Sequence, residues 1–154
     1  MAEPPAAPPA DSLNRTLAWL GYGGLLPFLA GAIAVVTHQG AWAMPALLAY
    51  GACILSFLGA VHWGWVMGPA AANPGGLPVA RTLALGVLPS LVGWGALLLP
   101  PQTGLGLLIC GFAGWYLVEN RVLGERVLGR GYLALRQRLT AGVLACLVVA
   151  LVTQ

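Results

Sequence analysis

Five stretches of this chain, residues 17–36, 44–67, 81–99, 105–123 and 132–152, are dominated by apolar residues, and polar or helix-breaking segments separate them. About 20 mostly apolar residues are needed for a helix to cross the hydrocarbon layer. Each stretch has that length. The first ends at "THQG" and the second at "GPAAANPGG", a Gly/Pro/Asn segment that cannot continue a helix. The third stops at "PPQTG" and the fourth gives way to "GERVLGRG". In the fifth only residues 139–152 are fully apolar, so the amphipathic "YLALRQR" before them is expected in the headgroup zone. The pattern predicts an all-α fold: an integral membrane bundle of five transmembrane helices in one domain, residues 13–154. Residues 1–12, acidic and rich in proline with no basic segment leading into an apolar core, read as a disordered tail rather than a cleaved signal.

Composition sharpens this. Hydrophobic residues make up 59% of the chain and charged residues 7%, with a mean hydropathy of +0.85. Soluble domains carry roughly a quarter charged residues, so a water-soluble domain is excluded. The formal net charge of +3 is too small and too local for a nucleic-acid partner. The expected partners are membrane lipids, other membrane proteins or a second copy of the chain. Cys53, Cys110 and Cys146 share no CxxC spacing and lie in apolar runs, which suits packing residues better than disulfides or metal ligands.

Arginines set the orientation. Arg15, Arg81, Arg121, Arg126, Arg130, Arg136 and Arg138 all flank the N-terminus, the second loop or the fourth loop, and none flanks the other side. Short loops rich in Lys or Arg stay cytoplasmic. The expectation is a bacterial inner-membrane protein with its N-terminus in the cytoplasm and its C-terminus in the periplasm.

"GLLPFLAG" (24–31) and "GVLPSLVG" (86–93) share Gly, Leu, Pro, Leu and Gly, in spans of the same direction. This suggests two repeated helical hairpins plus a fifth helix, although glycine, leucine and proline are abundant enough here for a chance match. Pro27 and Pro89 remain as kinks in either case, because each removes a backbone donor inside a span.

One polar cluster stands out. His62 lies five residues before Met67, about 8 Å from the arginine-bearing end by helix rise. Glu119, with Asn120 beside it and Tyr116 nearly a turn away, falls at a similar depth, and Arg81 and Arg136 open spans at that end. Ionisable groups within a membrane pair with one another and face the bundle interior. A network of His62, Glu119, Arg81 and Arg136 is expected. Gly59, a turn from His62, bares one side of the ring, while Ala60, Gly64 and Gly68 form a small-xxx-small face for helix contact. Trp63 and Trp65 fit an interfacial aromatic belt.

His62 admits several roles. Haem ligation lacks a second histidine, since His38 belongs to the opposite end. A metal site lacks HxxxH or HxxE spacing, so no metal is expected. No cofactor is evident; a pocket for a quinone or lipid headgroup is physically allowed. The plain alternative is a histidine that ties helices together by hydrogen bonds.

"LGYGGLLPF", "SFLGAVHWG", "LPSLVGW" and "YLALRQRLT", in this order, resemble a multi-pass membrane family known as domain of unknown function 3429, whose relatives include mitochondrial transmembrane protein 69. The resemblance spans nearly the whole chain from Leu17. It implies a shared fold and membrane location, and it supports His62, Glu119 and Arg136 as a cluster, with glutamate where the family usually has aspartate. No activity comes with it. Two functions follow: an accessory or assembly factor for a larger membrane complex, or a membrane enzyme or carrier with a His/Glu pocket for a small amphiphile. A channel is disfavoured by the scarcity of polar interior residues.

Overall fold

The computed structural model describes residues 10–67, 78–122 and 130–153. Within them lie five helices: α1 (Ala10–Val36), α2 (Ala43–Met67), α3 (Val79–Leu98), α4 (Pro101–Val122) and α5 (Arg130–Val152). The last three residues of the expected tail, Ala10 to Ser12, already belong to α1.

Four of the helices, α1, α2, α3 and α5, are long and apolar enough to cross a membrane. Of the five expected spans, α4 is the one less clearly a span. It has 22 residues, but glycines, Gln102, Trp115, Tyr116, Glu119 and Asn120 dilute its apolar character. The bundle tolerates this because α4 presents Leu105, Leu108, Phe112, Trp115 and Glu119 to the interior, where neighbouring helices rather than lipid set the environment. The exterior is the greasy part: Trp19 is 72% exposed and Met67 74%, with Leu20, Leu26, Ile33, Phe57 and Leu98 exposed as well. That distribution suits a lipid solvent and would aggregate in water.

The helices close into a ring, each touching the next and α5 returning to α1, while α2 and α4 also meet across the middle. An odd ring of up-and-down helices must contain one parallel contact. Here it is α1 with α5, where Gly21 faces Leu139 and Gly142 faces Leu25. The α3–α4 connection is very short: Leu99 is extended, as a residue before proline should be, and Pro101 opens α4 at a position where no amide donor is needed. The α1–α2 turn is closed by a Schellman pair, His38 N to Val35 O (3.2 Å) and Gln39 N to Ala34 O (2.9 Å). His38 takes the left-handed position (φ 52°) that glycine usually fills.

Helices α2 and α3 approach backbone to backbone. A Cβ on Gly59 would run into the Gly86 carbonyl oxygen, and one on Gly93 would lie 3.0 Å from the Ala52 carbonyl. The two contacts are seven residues, or two turns, apart on each helix. The space beside Gly59 is therefore filled by α3 and is not open to a ligand. The expected contact face fares differently: Ala60 and Gly64 point outward, Gly64 meets nothing within 4 Å, and Gly68 lies outside the described residues. Trp63 is less a belt residue than a clasp, packing on Gly86 and donating from Nε1 to the Leu83 carbonyl at 3.1 Å. Trp65's side chain is outside the described set.

The two Gly-Leu-Pro stretches occupy non-equivalent places. Pro27 is exposed and Pro89 buried, and both motifs turn their glycines toward α2, Gly31 against Leu47 and Gly86 against Gly59. Two repeated hairpins would instead set the second motif against α4. Near Pro27, which leaves the Gly23 carbonyl without its amide donor, the Tyr50 hydroxyl donates to the neighbouring Gly24 carbonyl at 2.8 Å.

Candidate functional site: a cleft ending at a buried ion pair

Near the middle of the bundle Phe28 packs edge-on against Tyr50 (centroids 4.9 Å apart) and Phe112 (5.9 Å). Toward the arginine-bearing end α1 leans on α5 and parts from α2. The resulting cleft has a volume of about 360 Å³ and runs from Phe28 to Leu17, walled by Leu20, Leu58, Val61 and Leu139 among others. Eleven residues of α1 at 1.5 Å each make it roughly 16 Å long. Its lining is almost entirely apolar. The exceptions sit together on α5: Tyr132, Arg136 and Thr140, spaced four residues apart and so stacked on one face.

Arg136 is 7% exposed and Glu119 2%. Arg136 Nε donates to Glu119 Oε2 at 3.0 Å, and Nη1 donates to Thr140 Oγ1 at 3.3 Å. The Tyr132 phenol lies beside the guanidinium. Glu119 is set behind the arginine, away from the cleft, so the cation lines the cavity and the anion braces it. In an apolar setting each charge requires the other.

His62 is 1% exposed and rests against Trp115, with ring centroids 4.8 Å apart and planes inclined at 58°. Neither ring nitrogen has a hydrogen-bond partner, and neither has Trp115 Nε1. The Leu58 carbonyl and the Glu119 carboxylate approach these two side chains without closing to bonding geometry. The histidine thus holds helices together by ring packing, not by the expected hydrogen bonds, and it does not line the cleft.

The sequence-derived residues separate into two groups. His62, Glu119 and Arg136 converge between α2, α4 and α5. Arg81 is exposed, and the ion pair of Glu119 is made by Arg136. Asn120 and Tyr116 are half-buried on α4 and take no part in that pair. Tyr132, Thr140 and Trp115 are not among the site residues expected from sequence, although the i, i+4, i+8 series Tyr132–Arg136–Thr140 and the i, i+4 pair Trp115–Glu119 are visible in it. Among the described residues no cluster of His, Cys, Asp and Glu could hold a metal ion. The cysteines are free, Cys53 and Cys110 exposed and Cys146 buried.

Residues 13–152 match the model of the family described as Protein of unknown function (DUF3429). The chain belongs to the DUF3429 family. No curated protein and no solved structure matches it. In this DUF3429 member the match covers the helices bearing the cleft and the ion pair, so both lie within the matched domain.

Proposed function

We propose that this DUF3429 protein spans the bacterial inner membrane five times, with its arginine-bearing end in the cytoplasm, and binds a small amphiphile such as a quinone or lipid in the α1–α2 cleft. One observation carries the reading: an apolar cavity of about 360 Å³ is lined at one point by a braced guanidinium. Ligand pockets commonly have volumes of roughly 300–1,000 Å³ and are mostly apolar with a few convergent polar groups. The tail would lie between Leu20, Leu58 and Leu139, and the headgroup would meet Arg136, Thr140 and Tyr132. Compared with the His62/Glu119 pocket expected from sequence, the headgroup position moves to the cleft face of Arg136.

The test is cavity filling. A Cβ on Gly24 would meet only the Tyr50 hydroxyl, at 3.9 Å, so a leucine there projects into open space. Protein purified in nanodiscs of native lipid should retain an extractable amphiphile by mass spectrometry, and Gly24→Leu should lose it while keeping its helical circular dichroism. An unaltered complement of bound molecules in Gly24→Leu refutes the reading.

A second reading, an accessory protein of a larger assembly, draws on α4. Gly106, Cys110 and Gly114 recur every four residues on this least apolar helix, Cys110 and Gly114 are exposed, and a Cβ on either glycine would meet nothing within 4 Å. Small residues at that spacing suit contact with another membrane helix. A stoichiometric partner recovered in mild detergent with the wild type and lost with Gly106→Leu/Gly114→Leu would support it; recovery with both would remove this face from consideration.

A further inference from the structure

We infer that the cleft selects an uncharged headgroup bearing hydrogen-bond acceptors, a quinone or another conjugated carbonyl, and that Glu119 is the residue that sets this selectivity. The inference rests on the amphiphile reading above and deepens it. A guanidinium offers five N–H donors and no acceptor. In Arg136 one is given to Glu119, one to Thr140 and one is engaged by the Tyr132 phenol, which leaves two. The adjacent Tyr132 phenol adds a further hydroxyl at the same point of the lining. The polar end of the cleft is therefore rich in donors, while its net charge is already cancelled by Glu119 at 3.0 Å.

Charge balance then discriminates among headgroups. A carboxylate or phosphate at Arg136 would be a second anion sharing one cation, with Glu119 directly behind it and apolar walls that give no screening. An ammonium group would face a guanidinium, with only the neutral hydroxyl oxygens of Tyr132 and Thr140 to accept from it. A carbonyl oxygen takes the remaining N–H donors and brings no charge. Neither Arg15 nor Arg138, both exposed, lines the cavity to offset an incoming anion.

The experiment compares three probes with the same dodecyl tail: a benzoquinone, dodecanoate at pH 8 and dodecylammonium. Binding to the full-length protein in nanodiscs is read by native mass spectrometry, with Gly24→Leu as the filled-cleft reference. The wild type should bind the quinone at least tenfold more tightly than either ion. Glu119→Gln, which keeps an acceptor for Arg136 while freeing its charge, should improve dodecanoate at least tenfold relative to the quinone. Should Glu119→Gln fail to fold, the wild-type ranking decides. Tyr132→Phe should then weaken the quinone without promoting dodecanoate. A wild type that prefers dodecanoate, or ranks the three probes equally, overturns the selectivity and leaves the cleft reading intact. Binding of none of the three, or binding unaffected by Gly24→Leu, overturns both.

Discussion

Severing the Glu119–Arg136 pair one partner at a time should be far more damaging than removing it whole. At 3.0 Å and an effective permittivity of about 20, the Coulomb attraction is about 5 kcal/mol. The cost of taking both charges out of water offsets most of this, so the pair's net contribution is small. Loss of one partner strands the other, at a cost of about 3–5 kcal/mol. The two strandings are unequal here. Arg136 borders the cleft and keeps its bond to Thr140, whereas Glu119 is walled in behind it. Arg136→Met should therefore cost more than Glu119→Leu, and the double variant should lie within about 2 kcal/mol of wild type because two apolar side chains of similar bulk replace the pair. Equilibrium unfolding in mixed dodecylmaltoside and dodecylsulfate micelles, followed by circular dichroism at 222 nm, measures all four proteins. A double variant as unstable as the sum of the singles would refute the coupling.

Other consequences are sharper for being paired. Gly59→Ala forces apart two backbones already in contact and should cost about 1–3 kcal/mol, while Gly64→Ala, facing open space, should be neutral or stabilising by up to about 1 kcal/mol; equal effects in the same unfolding assay would contradict the backbone packing of α2 on α3. His62→Leu removes two buried nitrogens that have no partner and should raise stability by about 1 kcal/mol, so a loss above 2 kcal/mol would mean that the ring makes a bond not seen here. His38→Gly relieves a left-handed backbone and should stabilise the α1–α2 turn by about 0.5–1 kcal/mol, measured as a higher midpoint in the same titration. Tyr50→Phe removes the hydroxyl that donates to the Gly24 carbonyl near Pro27 and should cost about 1 kcal/mol, with faster amide exchange confined to α1.

Much of the architecture was legible in the residue order. Hydrocarbon thickness imposes a length, arginines are too costly to leave mid-membrane, and proline and glycine punctuate helices locally; these rules need no knowledge of neighbours. They located the five helices, and they brought His62, Glu119 and Arg136 to a common level. They left hidden that Trp115 and Glu119 of α4 face other helices, because the identity of a helix's neighbours is not written in its own composition. Direction around the helix axis was equally hidden: Gly59 looked like an opening and Ala60–Gly64 like a contact, and the fold reversed both. The cleft itself exists only because α1 follows α5 and leaves α2 below Phe28. That separation depends on which pairs of helices pack most closely, a competition among contacts far apart in the chain, and only the assembled bundle decides it.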